Sequence, residues 1–186
     1  MTMQGKSRQR ISIRELTQDD ASRPRLHYEY LTTSYYDLSI RKEAESWRIE
    51  LSLKLLEKPL VKSFEQELFA EYVEEPAVFE ALLDGERVGW IELGFQKWNN
   101  RMRVWEFLVR EGFRRRGIGT FMMRHAVQVA KEGGARMLVL ETQTCNVPAI
   151  SFYLKQGFEL IGFDCAGYSN EDIQRKEVRL EMGLRL

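Results

Sequence analysis

The sequence predicts an α/β (α+β) domain on a mixed central sheet of about six or seven strands, an antiparallel N-terminal meander leading into a β-α-β unit flanked by helices. Three observations carry this reading. Ala77–Leu83 and Val88–Phe95 are apolar-rich runs separated by Asp84-Gly85, a dipeptide that favours a tight hairpin turn. Beyond Val109 the pattern changes to strand, loop, helix and strand, as a parallel crossover requires. No repeat, low-complexity tract or linker interrupts the 186 residues, so residues 1–186 read as one domain around a single core.

Taken in order, Ile11-Ser12-Ile13-Arg14 alternates apolar and polar residues and reads as a first strand. Asp19 and Asp20 stand where a helix N-terminus favours acidic side chains. From about Leu26 to Tyr36, with Tyr28, Tyr30, Tyr35 and Tyr36, a helix or loop is expected. Trp47, Ile49, Leu51, Leu53 and Leu55 alternate with other residues as in a half-buried strand. After Pro59, the residues Leu60, Phe64, Leu68 and Tyr72 fall at helical spacing. A reversal at Asn99-Asn100 leads into a strand over Met102–Val109. Gly117–Lys131 carries Ile118, Phe121, Met122, Ala126, Val129 and Ala130 on an amphipathic helix closed by Gly133-Gly134. Met137–Leu140 fits a buried parallel strand. Pro148–Lys155 fits a helix with proline in its first turn, ended by Gly157. Phe158–Phe163 and Val178–Leu186 complete the domain as a closing hairpin.

Composition narrows the function. Lys plus Arg and Asp plus Glu both number 28, so the formal net charge is zero. General attraction to nucleic acid or to an anionic membrane is therefore not expected, and any anion site must be local. No apolar run approaches the roughly 20 residues that span a bilayer. The first ten residues lack an apolar stretch after their basic residues, so no secretory signal is read there. Cys145 and Cys165 make no disulfide framework, and His27 and His125 show no metal-ligand spacing. The expectation is a cytoplasmic, metal-free domain.

Arg114–Gly119 is the segment with the clearest chemistry. From Gly112 a Gly-x4-Gly spacing is met, yet Ile118-Gly119 follows in place of the lysine and hydroxyl residue of a nucleotide triphosphatase. A dinucleotide-binding turn requires a glycine where Met122 stands. What remains is a basic, glycine-rich loop at a helix start, where unpaired N–H groups and a partial positive charge attract phosphate. Arg114, Arg115 and Arg116 add full charges. A solvated basic turn has the same composition, and the loop alone leaves both readings open.

One helix and one strand later come Asn146, Ala149, Tyr153, Gly157 and Phe158. These residues, with Arg114, Gly117 and Gly119, resemble the GNAT N-acetyltransferase superfamily over at least Val104 to Phe163. The stretch Glu141–Ala149, with Ile91-Glu92-Leu93, is similar to its streptothricin acetyltransferase branch; the N-terminal third matches that branch only loosely. The resemblance implies a GNAT fold, acetyl-CoA (coenzyme A) as co-substrate, and direct attack by an amine on the thioester without a covalent enzyme intermediate. It implies coenzyme contacts from Arg114, Arg115, Arg116, Gly117, Ile118, Gly119 and Thr120, and from Asn146. It implies that the backbone N–H of Leu108 or Val109 polarises the acetyl carbonyl, and that Tyr153 protonates the departing thiolate.

An alkyl ammonium near pKa 10.4 must lose a proton before it attacks, so a base is needed. The position of Glu106 in the family makes it the first candidate. Alternation places it with Met102, Val104 and Leu108, an apolar setting that raises a carboxyl pKa, while an ion pair with Arg101 or Arg103 is the structural alternative. Glu92 is a second candidate, or a strand carboxylate facing solvent. Tyr153 also suits a core aromatic position, and Asn146 also suits a helix N-cap. Cys145 has no base nearby and reads as a buried, inert thiol. The acceptor amine is expected between the N-terminal half and the closing hairpin, with Tyr35 and Tyr36 as substrate-binding aromatics and Cys165–Lys176 at the border. A homodimer using Val178–Leu186 fits the family. The alternatives are a protein N-terminal or lysine acetyltransferase and a coenzyme A-binding regulatory domain without turnover.

Overall fold

A computed structural model describes residues 10–20 and 23–186; residues 1–9, where no secretory signal is read, and 21–22 lie outside the described residues. β1 (Ile11–Leu16) is followed by two long strands, β2 (Arg25–Lys42) and β3 (Trp47–Glu67), which pair only with each other. β4 (Ala77–Leu83), β5 (Glu86–Gln96) and β6 (Arg101–Val109) form the expected meander. Asp84 and Gly85 both take positive φ, 50° and 89°, which is the geometry their hairpin demands. Then come α1 (Ile118–Glu132), β7 (Met137–Gln143), α2 (Val147–Lys155), β8 (Glu159–Asp164), a short α3 (Asp172–Arg175) and β9 (Arg179–Arg185).

The main sheet has 7 strands in the order β1-β4-β5-β6-β7-β9-β8, with β6 and β7 parallel and the other neighbours antiparallel. β9, the strand expected at a dimer contact, is bonded on both edges, to β7 and β8. Ile91, Leu93, Met102, Val104, Leu138 and Leu140 build a core under Met122, Met123 and Ala126 of α1. On the other face Leu16, Val78, Trp90 and Leu108 pack with Leu26 and Leu68, at the root of the ribbon.

The ribbon overturns the N-terminal expectations. Leu26–Tyr36 is strand, not helix or loop, and Leu60–Glu67 continues β3 rather than forming a helix. A spacing of four satisfies a period of two as well as one of 3.6, so Leu60 and Phe64 could not separate the alternatives. Pairing decides it: Tyr28 faces Phe64 and Leu31 faces Val61. Asp19 and Asp20 begin no helix; they sit in a turn where the Asp20 N–H donates to the Thr17 carbonyl at 3.1 Å. Trp47–Leu55 is a strand, but Trp47, Ile49, Leu53 and Leu55 are exposed, and Leu51 is the member of that row packed on the main core, beside Leu38 and Tyr36.

A bulge corrects the face assigned to Glu106. Glu92 pairs with Glu106 and Leu93 with Val104, so Trp105 is an extra residue in β6. Met102 and Val104 therefore face the α1 core, whereas Leu108 belongs to the opposite cluster and Glu106 reaches Tyr28 of the ribbon.

The meander tolerates no side chain at Gly89. A Cβ there would lie 2.8 Å from the Leu108 carbonyl oxygen and 2.8 Å from Met122 Sδ. Gly89→Ala should cost about 2 kcal/mol and lower Tm by about 4–8 °C. Thermal unfolding followed by circular dichroism measures this, and an unchanged Tm would show that β6 yields freely.

Candidate active site

The site begins where two strands part. β6 and β7 pair from Arg101↔Met137 to Val104↔Leu140 and no further. The Arg110 N–H donates to the Val88 carbonyl at 2.9 Å, so ladder alternation sends the Glu106 and Leu108 N–H groups toward β5. Those of Phe107 and Val109 then point into the gap. The Phe107 N–H donates to the Tyr28 phenol oxygen at 3.1 Å. Of the two carbonyl-polarising candidates, Val109 is thus the one whose N–H lies on the open side.

The basic loop closes one end of the gap. Arg115 (φ 61°) and Gly117 (φ 82°) turn the chain into α1, and Gly117 is its N-cap. No side chain caps the helix start and no acidic residue lies in its first turn, which leaves the N–H groups of Ile118, Gly119 and Thr120 to an anion. At Gly119 a Cβ would press on the Phe152 ring at 3.3 Å, and Phe152 stacks on Phe107 with centroids 5.6 Å apart. Arg114 donates to the backbone carbonyls of Val109 (3.1 Å) and Glu29 (3.0 Å), joining the loop to the ribbon. Asn146 caps α2 by accepting from the Ala149 N–H at 3.3 Å.

A cleft of about 720 Å³ runs from this loop along the open edge of β6. It brings together Glu106, Leu108, Val109, Arg114, Arg115, Gly117, Gly119, Thr120, Asn146 and Tyr153. Five other residues named from the sequence lie outside its lining. Ile118 is in the core, and Arg116 stacks over Phe113 at 5.3 Å. Glu92 is 1% exposed and accepts the Phe69 N–H at 2.6 Å, so it anchors that chain reversal rather than facing solvent. Lys176 lies over the Tyr35 ring at 4.7 Å, and Tyr36 packs on the core.

The rest of the lining includes residues that sequence reasoning passed over or left unranked: Tyr28, Tyr30 and Phe64 of the ribbon, Trp105, Glu141 and Tyr168. Tyr168 lies in the Cys165–Lys176 segment expected at the border; its N–H is held by Asp172 at 2.9 Å. The strict alternation of Leu26, Tyr28 and Tyr30 is the signal that could have placed the ribbon aromatics on one face. Cys145 is fully buried against the Tyr30 hydroxyl at 3.5 Å, and burial pushes its thiol pKa up.

Glu106 is 8% exposed, and burial raises its carboxyl to about 7. The Tyr28 hydroxyl, donating to Oε2 at 2.7 Å, opposes that rise; Glu92 and Glu141 add to it. The ion-pair alternative is not realised with Arg103, which binds Glu141 (2.6 Å) and Glu181 (3.4 Å) and stacks on Trp105. Arg101 is at the far end of β6, roughly 17 Å away along the strand. Tyr153 is buried among Phe107, Phe152 and Phe158, and burial followed by the Glu106 charge raises its phenol pKa. Among the described residues no cluster of His, Cys, Asp or Glu fits a metal ion, and no helix is long and apolar enough to cross a membrane.

Residues 40–158 match the acetyltransferase (GNAT) family. A streptothricin acetyltransferase of Streptomyces lavendulae is 40% identical over 85 residues, 46% of this chain and 45% of that protein. Streptothricin acetyltransferase A of Bacillus subtilis is 34% identical over 116 residues, 61% of this chain and 66% of that one. The chain thus spans about half to two thirds of these curated relatives. A Bacillus anthracis protein assigned as a streptothricin acetyltransferase, solved with acetyl coenzyme A, superposes with a TM-score of 0.73 at 29% identity, over 95% of this chain and 98% of that one.

The raised carboxyl has a stability signature. The Glu106 pKa is about 7 in the fold against 4.5 for the unperturbed group. Its contribution is therefore fully present below about pH 4.5 and is lost as pH rises to about 7, up to about 3 kcal/mol in all. Glu106→Gln, which cannot ionise, should match the parent near pH 4.5 and exceed its stability by about 1–3 kcal/mol at pH 8.5. Urea unfolding at the two pH values measures the difference, and a gap independent of pH would contradict it.

Proposed function

Since the chain belongs to the acetyltransferase (GNAT) family, we propose that it transfers an acetyl group from acetyl-CoA to a primary amine of a small cationic molecule, with a streptothricin-like antibiotic as the preferred acceptor. The observation that carries the reading is the polarity of the cleft. One end offers helix N–H groups with Arg114 and Arg115; the other offers Glu106 among Tyr28, Tyr30, Trp105 and Tyr168, beside a Glu141 already paired with Arg103 and Arg179. The first suits a pyrophosphate and the second an ammonium flanked by aromatic rings. The streptothricin acetyltransferase relatives support the acceptor class.

The N–H groups of Ile118, Gly119 and Thr120, with the two arginines, bind the pyrophosphate; Arg116 and Ile118 contribute no side chain to the cleft lining. The gap between β6 and β7 receives the pantetheine arm, with Asn146 on its far side. The Val109 N–H donates to the acetyl carbonyl and stabilises the charge that grows there as nitrogen attacks. Glu106, near pKa 7, takes the proton that the amine gives up. The new C–N bond forms and the C–S bond breaks; Tyr153, whose raised pKa keeps it protonated, donates its proton to the sulfur, and the phenolate then regains a proton from solvent while Glu106 releases its own. Glu92, held by the Phe69 N–H, keeps an indirect electrostatic effect on Glu106.

Thiol release from acetyl-CoA in the presence of streptothricin, polyamines and peptides tests this directly. Streptothricin should be turned over fastest, with a rate that rises through about pH 7. Preferential turnover of peptides would point instead to a protein acetyltransferase, and tight coenzyme binding without turnover to a regulatory domain. Glu106→Gln should lower kcat by roughly 10²–10⁴-fold and flatten the pH profile. Replacing Arg114 and Arg115 by Ala should raise the KM for acetyl-CoA by about tenfold, and an unaltered KM would place the pyrophosphate elsewhere.

A further inference from the structure

Tyr28 lies upstream of the family match and on the ribbon, outside the β-α-β unit. Its ring stacks on Phe64, its directly opposed partner in β3, with centroids 4.9 Å apart and planes 10° from parallel. The stack aims the phenol into the gap beside β6. There the hydroxyl accepts from the Phe107 N–H at 3.1 Å and donates to Glu106 Oε2 at 2.7 Å. These two bonds fix each other's direction. A backbone amide only donates, so the single phenol proton is committed to the carboxylate.

We propose that Tyr28 is the positioning residue of the base: it holds the Glu106 carboxylate in its ionised form and ties it to the ribbon that forms the acceptor wall. The proposal rests on the assignment of Glu106 as base made above. Every other influence on Glu106 works against ionisation: burial, and the charges of Glu92 and Glu141. Among the described residues, the Tyr28 phenol is the side chain whose hydrogen bond opposes them. Its placement also adds a direct polar link from β2 to β6, strands that share no ladder among the described residues. Tyr30 does not duplicate this, because its hydroxyl is turned to Gln143 and Cys145.

Tyr28→Phe keeps the ring and its stack and removes both bonds. The Glu106 midpoint should move up from about 7 by about one to two pH units, the usual effect of a hydrogen bond to a charged group. At pH 7 the rate should then fall ~5- to 50-fold, as the ionised fraction falls, and recover toward the parental rate at pH 9. The KM for acetyl-CoA should stay within about twofold. A loss of rate equal at every pH would overturn the proposal, because a packing defect does not titrate. The midpoint is also readable without substrate, from the carboxyl band in the infrared difference between each protein and its Glu106→Gln counterpart. Phe64→Leu, which keeps the hydroxyl and loosens its aim, should shift that midpoint in the same direction by less. An unshifted infrared midpoint in Tyr28→Phe would refute the role of Tyr28. If the parent acetylates no amine, the proposed function fails while the infrared midpoint still decides for or against Tyr28.

Discussion

The cleft exists because β6 and β7 stop pairing after Val104 and Leu140. Beyond that point each strand keeps its partner on the far edge, β9 for β7 as far as Gln143 and β5 for β6 as far as Val109. In β6 the extra residue at Trp105 marks where the strand turns away. Its remaining N–H groups then face an opening flanked by buried residues, where an unsatisfied donor costs about 1–3 kcal/mol. One of them, on Phe107, is satisfied by Tyr28. The fold thus keeps a short length of sheet edge open and lines it with side chains chosen to work there.

What was legible in the sequence follows the local character of each signal. The Asp84-Gly85 turn, the loop through Gly117 and the helix starting at Ile118 are set by backbone requirements that individual residues announce. The ribbon is not of that kind. Its strands are defined by each other, and Leu60 and Phe64 fit either period until Leu31 and Tyr28 are known to lie opposite Val61 and Phe64. The choice of Tyr35 and Tyr36 over Tyr28 and Tyr30 failed to anticipate the cleft wall for the same reason: local sequence does not say which length of the ribbon lies beside β6, and Tyr28 is the residue bonded there. The misassigned face of Glu106 has a simpler cause. Alternation counts residues, and one inserted at Trp105 reverses every prediction beyond it.

The electrostatics of the cleft oppose the stability of the fold. A buried carboxyl near pKa 7 beside Glu92 and Glu141 is poorly solvated when ionised. The protein does not relieve it with the arginine of the same strand. Arg103 is committed to Glu141 and Glu181, and Arg179 joins the same pair of carboxylates. An arginine on Glu106 would lower its pKa by about 1–3 units and leave a weaker base at neutral pH. A phenol bond is a milder correction: it favours the carboxylate without supplying a full opposing charge. With Glu106 as the proposed base, the balance between Tyr28 and burial sets its proton affinity near neutrality.

The two ends of the cleft also differ in how their specificity can arise. A pyrophosphate is met by N–H groups at a helix start, and any sequence that supplies Gly117, Gly119 and a basic loop can provide them. The acceptor end has no such generic element. It is lined by contacts between distant segments: Tyr28 with Phe64 and Glu106, Tyr30 with Gln143, and Tyr168 with Glu141. Arg114 spans both ends, with one bond to the edge of β6 and one to the ribbon. A change of acceptor can thus be made by altering the ribbon and the Tyr168 loop while the donor end is untouched, provided the Tyr28 contact to Glu106 is retained. On the proposed function, discrimination among amines is a property of the strands with the least local signature, and recognition of the donor a property of the loop with the most.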